Sequence, residues 1–371
     1  MEVIHIVLGK ANPARMNGVN KVVYQLASRQ AESGQTVSVW GITKDLSENY
    51  GERNFNTRLF KASLNPFGLP SGIRNAFKEK KGKAVVHIHG GWIPVFSSLS
   101  TLLKELGIPF VFTPHGAYNV VAMERSQFMK KLYFEFFERK VLRNASRLHC
   151  LGASEVNGLQ RIYRTRKSVL LPYGYEAEGT AIQPSPSKGR KFIIGFVGRL
   201  DVYTKGLDLL VDAFLEFSEE QPNSELWIVG DSPERAVFER KVKSMGLETK
   251  VKFWGSRFGE EKENLLRQMD VFAHPSRNEG LPASILEAAG YGIPVLVTEA
   301  TNLAELVKRY KCGIAVPDNN AWEICMGLHK LHANWKQGQF PAMGERARSL
   351  VAQEFNWNSI LKQFEQLYAS V

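Results

Sequence analysis

Short runs rich in Val and Ile alternate with longer segments of helical period along this chain, and the alternation begins a second time after an interruption. In the first half the runs are Ile4 to Leu8, Val37 to Trp40, Val85 to His89, Phe110 to Thr113 and Arg147 to Leu151. That rhythm reads as a parallel sheet with helices on both faces. The polar stretch from Gln183 to Arg190, rich in Pro and Ser, reads as a linker. Beyond it come Ile193 to Val197, Glu225 to Val229, Lys250 to Trp254, Val271 to His274 and Pro294 to Thr298. Two doubly wound α/β domains follow, and ligands are expected outside the C-terminal ends of their strands, in the crevice they share.

The length agrees with this division, because 371 residues exceed what one hydrophobic core usually serves. We place the first domain at 1–180, the second at 190–355 and a closing helix at 356–371. In that helix Trp357, Ile360, Leu361, Phe364 and Leu367 fall on one stripe, which is expected to return to the first domain. The opening Met1 to Leu8 reads as a buried strand instead of a signal peptide. No run approaches the ~18 apolar residues that cross a bilayer. Cys150, Cys312 and Cys325 form neither a close-spaced metal pattern nor an even disulfide framework, which fits a reducing cytoplasm.

The formal charge of +11 is uneven. Residues 1–180 carry 25 Lys and Arg against 13 Asp and Glu, whereas 181–371 carry 23 against 24. The first half therefore favours anionic partners. No nucleic-acid recognition motif accompanies it, so nucleic acid is not an expected partner.

Two segments concentrate the chemistry. His274 to Pro294 reads as a strand end, a tight loop and a short helix, with Pro282 suited to the first turn and Gly292 to the stop. A helix starting near Pro282 would aim free N–H groups and its positive end at a diphosphate. Glu279 lies in the loop and Glu287 in the helix, each able to accept from a pair of sugar or ribose hydroxyls. About 80 residues earlier, Ile193 to Leu210 reads as a buried strand ending at Gly198, with Arg199 and Lys205 on the loop that follows. Two cations beside a helix start suit a diphosphate leaving group. Taken singly, these four residues would be ordinary surface charges.

Together the two segments resemble glycosyltransferase family 4, a large family of retaining enzymes with the GT-B fold of two facing Rossmann-like domains. Glu279 and Glu287 match its Glu, seven residues, Glu pattern; Gly198-Arg-Leu200 and Lys205-Gly206 match its paired motif. The resemblance implies that Arg199 and Lys205 bind the diphosphate and Glu287 the ribose. It implies that Glu279, with the backbone of Gly280, Leu281 and Pro282, orients the transferred sugar. Ser256 and Arg257, after the strand ending at Gly255, become candidates for the base. In the first domain His115, within Thr113-Pro-His-Gly116, becomes the candidate catalytic contact to the sugar hydroxyls, with Glu279 as its catalytic partner. His89 is assigned to the cleft wall. Two departures stand out. The first-domain glycine loop, Met16-Asn-Gly-Val19, keeps only Gly18, and Pro172-Tyr-Gly174 replaces the usual Pro-Asn-Gly.

The resemblance further implies a metal-independent hexosyltransferase with net retention, using no cofactor beyond a nucleotide-sugar co-substrate, UDP-glucose being the first expectation. No Asp-any-Asp pair, which a manganese-dependent transferase would use, occurs in the sequence. Expected acceptors are glycans or lipid-linked carriers in surface polysaccharide synthesis. The stretch Met123 to Asn144, with aromatics and six cations, suggests a peripheral contact at the inner face of the membrane. Competing readings are a GT-B sugar-nucleotide epimerase and a non-catalytic nucleotide-sugar-binding protein.

Overall fold

The computed structural model describes residues 1–12, 18–118, 127–176 and 190–371. Met16 and Asn17 of the glycine loop, 123–126 of the basic stretch and 183–189 of the linker lie outside the described residues. The chain divides into two compact units, Met1–Gly174 with Trp357–Val371, and Tyr175–Asn356.

The first unit runs β1 (Glu2–Leu8), α1 (Gly18–Glu32), β2 (Val37–Thr43), β3 (Asn56–Lys61), α2 (Ile73–Lys80), β4 (Ala84–His89), α3 (Pro94–Leu106) and β5 (Phe110–Thr113). It continues with α4 (Gln127–Tyr133), a π turn at Phe134–Glu138, α5 (Arg139–Asn144), β6 (Arg147–Cys150), α6 (Ala153–Ile162) and β7 (Ser168–Leu170). Its strands form one parallel sheet in the order β3-β2-β1-β4-β5-β6-β7. All six residues of β4 and all four of β5 are buried. Strands covered on both faces need apolar residues on both, which is why these segments read as near-continuous runs.

The second unit runs β8 (Phe192–Val197), α7 (Leu207–Glu220), β9 (Ser224–Val229), α8 (Arg235–Ser244), β10 (Val251–Gly255), α9 (Gly259–Leu266) and β11 (Val271–His274). Next come α10 (Ala283–Gly290), β12 (Val295–Thr298), α11 (Ala304–Tyr310), β13 (Gly313–Val316), α12 (Ala321–Lys336) and α13 (Phe340–Glu354). The order is β10-β9-β8-β11-β12-β13, again parallel. One apolar cluster includes Phe196, Leu210, Phe214 and Leu328, and another Phe272, Leu286, Val297 and Leu350.

The closing helix, α14 (Trp357–Ala369), belongs to the first unit. Its expected stripe of Trp357, Ile360, Leu361, Phe364 and Leu367 is buried, together with Tyr368. Trp357 lies so close over Gly174 that a Cβ there would come within 2.3 Å of its indole. Where the chain enters the second unit, the Tyr175 N–H donates to the Phe355 carbonyl at 2.8 Å.

In each sheet the winding reverses at one place, between β1 and β4 in the first unit and between β8 and β11 in the second. The connections diverge there and leave the strand C-termini uncovered, the place where sheets of this kind bind ligands. At the second of these points the chain needs Gly230, with φ 147° and an ideal Cβ only 1.8 Å from the Gly198 carbonyl oxygen. Gly230→Ala should therefore destabilise the second unit by about 2–4 kcal/mol in urea unfolding, from backbone strain and overpacking together. An unchanged midpoint would mean that the approach of β8 to β9 is looser than described.

Candidate functional site

In the second unit the loop after β8 and the loop after β11 are bound to each other at several points. Ser276 donates its hydroxyl to the Thr204 carbonyl at 2.7 Å, and the Arg277 N–H donates to the same carbonyl at 2.8 Å. The Arg277 guanidinium grips both oxygens of Asp208 at 2.7 and 2.9 Å, donates to the Tyr203 carbonyl and stands 4.3 Å from the centre of the Tyr203 ring. Gly206, at φ 66°, passes so close to Pro275 that a Cβ would lie 1.9 Å from its carbonyl oxygen. These contacts bring Lys205 and Glu279 together, 74 positions apart in sequence.

The Lys205 ammonium donates to Glu279 Oε1, and His274 Nε2, at the end of β11, reaches the same oxygen at 2.7 Å. Burial on its own would raise the Glu279 pKa, but Lys205 and His274 outweigh it and bring it to about 2. His274 is shifted down by its own burial against the pull of Glu279, so its neutral ring donates through Nε2 while Nδ1 stays buried without a partner among the described residues. The ring stacks on Phe196 at 5.2 Å and 27°. Asn302, in the left-handed region at φ 61°, holds the loop by donating to the carbonyls of Glu279 at 3.2 Å and Gly280 at 2.6 Å.

Beyond Gly280 and Leu281, α10 starts with Pro282 as its extended N-cap and no side chain capping its first N–H groups. Glu287, one turn in, is buried and accepts from Lys262 of α9 at 2.7 Å. Arg199 points outward with 68% of its side chain exposed, held by Asp201 at 3.3 Å. Ser256 and Arg257 follow β10, where Arg257 donates to the Ser256 carbonyl at 3.0 Å.

In the first unit His115 sits just beyond β5 at φ 55°, a strained backbone position for a residue with a Cβ. The next N–H, of Gly116, donates to the buried carboxylate of Glu155, which also accepts from the Leu151 N–H at 2.9 Å. Burial raises Glu155 to about 7 despite those two donors. His115 Nε2 meets His89 Nδ1 at 3.1 Å, and Tyr173 stacks flat on the His115 ring at 5.8 Å and 13°. Gly18 begins α1, and a Cβ there would meet nothing within 4 Å among the described residues.

Two family models match in tandem. Glycosyltransferase Family 4 covers residues 16–178, and Glycosyl transferases group 1 covers 177–349. The chain is a family 4 glycosyltransferase. Among its relatives, the matching component of human phosphatidylinositol N-acetylglucosaminyltransferase is 24% identical, over 96% of this chain and 74% of that one. Sucrose-phosphate synthase from Thermosynechococcus elongatus has the same fold, with a TM-score of 0.76 at 20% identity over 99% and 98% of the two chains. Anabaena Alr3699/HepE, solved in complex with UDP and glucose, superposes with a TM-score of 0.76 at 17% identity over the whole of both chains. The GT-B architecture expected from the sequence is thereby established.

In this glycosyltransferase the structure draws four of the expected donor residues into one unit but not into one contact. Lys205 and Glu279 touch, Glu287 is paired separately with Lys262, and Arg199 stands in solvent. His115 belongs to the other unit. Sequence reasoning overlooked His274, although it opens the motif that carries Glu279. It also overlooked Asn302, whose only local signal is an Asn just after a strand, and Glu155. The Tyr that replaces the usual Asn at position 173 acquires a use of its own as the stacking partner of His115.

The sign of the acid response follows from Glu279. Its folded pKa of about 2 lies below the ordinary 4.5, so its pairing stabilises the fold fully above pH 4.5 and less as pH falls toward 2. Glu279→Gln should be less stable than wild type at pH 7, and the gap should shrink below pH 4.5 in chemical denaturation. A gap that is constant with pH would show that ionisation of Glu279 is not what the pair depends on.

Proposed function

We propose that this glycosyltransferase is a retaining, metal-independent hexosyltransferase that takes its sugar from a UDP-hexose, with UDP-glucose as the leading candidate. The observation that carries the reading is the half-buried Lys205 and Glu279 pair at the β8 and β11 termini, next to an uncapped helix start. A lysine ammonium has three donors, and only one is directed at Glu279. The others are assigned to the leaving diphosphate, with Arg199 as the second cation and the α10 N-terminus as a fixed dipole. Glu279 is kept ionised and oriented, as an acceptor for hydroxyls of the transferred sugar needs to be. Glu287 is assigned to the ribose, the backbone of Gly280, Leu281 and Pro282 to the sugar, Ser256 and Arg257 to the base, Gly18 to close approach of a ligand, and His115 to a substrate hydroxyl.

Retention would proceed by same-face attack through an oxocarbenium-like state. With both cations supplied by side chains, the leaving charge is neutralised without a metal, and no other cofactor is assigned. The HepE complex with UDP and glucose supports the donor class. Lys205→Ala and Glu279→Ala should each lower transfer at least ~100-fold, the scale set by losing a preorganised charge in a water-poor site, while thermal unfolding stays cooperative. A thermal-shift panel of UDP-, GDP- and ADP-sugars should single out a UDP-hexose, with about 2.7 kcal/mol of stabilisation at a hundred times Kd. Near-normal turnover in the folded variants would sink the site.

The acceptor reading is a lipid-linked carrier or glycan of surface polysaccharide, reached at the cytoplasmic face of a membrane. Among the described residues no helix is long and apolar enough to cross a bilayer. Met129, Leu132 and Phe136 instead form an exposed apolar stripe over α4 and the π turn, 66%, 48% and 66% exposed, in a stretch that also carries Lys130, Lys131, Arg139 and Lys140. Phe134, Val141 and Leu142 of the same segment are core, so only part of its apolar content is on offer. The name of the human relative, which carries phosphatidylinositol, supports a lipid acceptor. Sedimentation with anionic liposomes should be strong at low salt, weaken at high salt and fall further in Phe136→Glu. Equal binding to neutral vesicles would overturn the electrostatic attachment.

A further inference from the structure

Five of the eight histidines, His5, His87, His89, His115 and His149, are joined inside the first unit by two chains of hydrogen bonds, and each chain ends on an oxygen that can only accept, Leu171 O in one and Gln30 Oε1 in the other. Leu171 O can only accept, so His149 Nε2, at 2.6 Å, must carry a proton. Burial holds His149 at a pKa of about 4, so its ring is neutral and Nδ1 is a bare acceptor. The Thr113 hydroxyl, 2.7 Å from that nitrogen, donates to it and must in turn accept from His87 Nε2 at 2.6 Å. Neutral His87 is then bare at Nδ1 and accepts from the Tyr368 hydroxyl of α14 at 2.8 Å.

The second chain starts at the Gln30 amide, whose oxygen lies 2.7 Å from His5 Nε2 and can only accept. His5 must donate to that oxygen, so its Nδ1 accepts from His89 Nε2 at 2.9 Å, and His89 Nδ1 accepts from His115 Nε2 at 3.1 Å. Every ring in this second chain is held neutral by burial. The consequence at the end of the chain is a half-buried His115 with its proton on Nε2 and its lone pair on Nδ1.

We propose that this network is a relay that fixes the tautomer of His115, making it a hydrogen-bond acceptor for a substrate hydroxyl, with His89, His5 and Gln30 as positioning residues. The assignment of His115 to substrate rests on the function proposed above; the tautomer itself does not. The nitrogens of His5, His87 and His89 lie within 4.8 Å of one another, close enough to suggest a metal. However, His5 Nδ1 and His89 Nε2 are at hydrogen-bond separation, closer than the ~3.3 Å between two ligands of one tetrahedral zinc with bonds near 2.05 Å.

The test uses the full chain labelled with 15N-histidine. Two-bond proton–nitrogen correlations at pH 7 should show His115 as the Nε2–H tautomer. In Gln30→Leu, which removes the accepting oxygen from His5, the His115 signal should become a mixture of tautomers. His89→Leu should lower kcat about tenfold with less than about a twofold change in donor KM, and His89→Asn, whose amide oxygen can stand in for Nδ1, should recover most of it. If His89→Leu fails to fold, Gln30→Leu carries the test. An Nδ1–H tautomer in the wild type, a tautomer unmoved by Gln30→Leu, or a zinc-dependent rise in Tm would each overturn the relay. Full activity in His115→Ala would instead remove the substrate role of His115, leaving the tautomer to be judged by the spectra.

Discussion

A carboxylate with only 11% of its side chain exposed stays ionised only when the groups around it replace the water it has lost, and Glu279 is such a carboxylate. Lys205 supplies the charge and His274 a hydrogen bond, both at the same oxygen. Much of the local architecture of the second unit serves that pairing. The carbonyl of Thr204 takes two donors from the opposite loop, Arg277 clamps Asp208, and Asn302 adopts a left-handed backbone to hold the Glu279 and Gly280 carbonyls.

The first unit meets a different requirement by a different means. The bonded neighbour of His115 among the described residues is another imidazole, and burial keeps its ring and those of His89 and His5 neutral. Neutral imidazoles have one donor and one acceptor each, so a chain of them has a direction. Strand register places them: β1 pairs His5 with His87 of β4, and β4 pairs His89 with Thr113 of β5. Side chains two apart on a strand share a face, so His87 and His89 look the same way, toward α14 and Gln30.

The central strands of both sheets were legible in the sequence because burial on both faces leaves a nearly unbroken apolar run. The three strands that were not foreseen, Asn56–Lys61, Ser168–Leu170 and Gly313–Val316, are all edges. An edge strand has one partner and partial burial, so its sequence keeps polar residues, and its existence depends on a neighbour the local pattern does not show. The donor motifs were legible for a related reason: Arg199 with Lys205, and Glu279 with Glu287, are close enough in sequence to form patterns. Asn302, Glu155 and the histidine chain were not, since their partners are brought together only by the winding of the sheet. His5 and His89 are 84 positions apart, and no local spacing encodes that bond.

Tyr173 shows how a departure from a family pattern acquires physical meaning once partners are known. A small amide at that position could hydrogen-bond but offers no aromatic ring, whereas Tyr173 covers the His115 ring and is itself backed by Phe364 of α14 at 5.9 Å and 20°. Phe364 in turn stacks on Tyr368, whose hydroxyl donates to His87. The returning helix thus backs the ring that covers His115 and closes the other histidine chain with a hydrogen bond. An arbitrary amphipathic segment of the same length would not replace it, because burial of the stripe would survive the exchange while the bond to His87 would not.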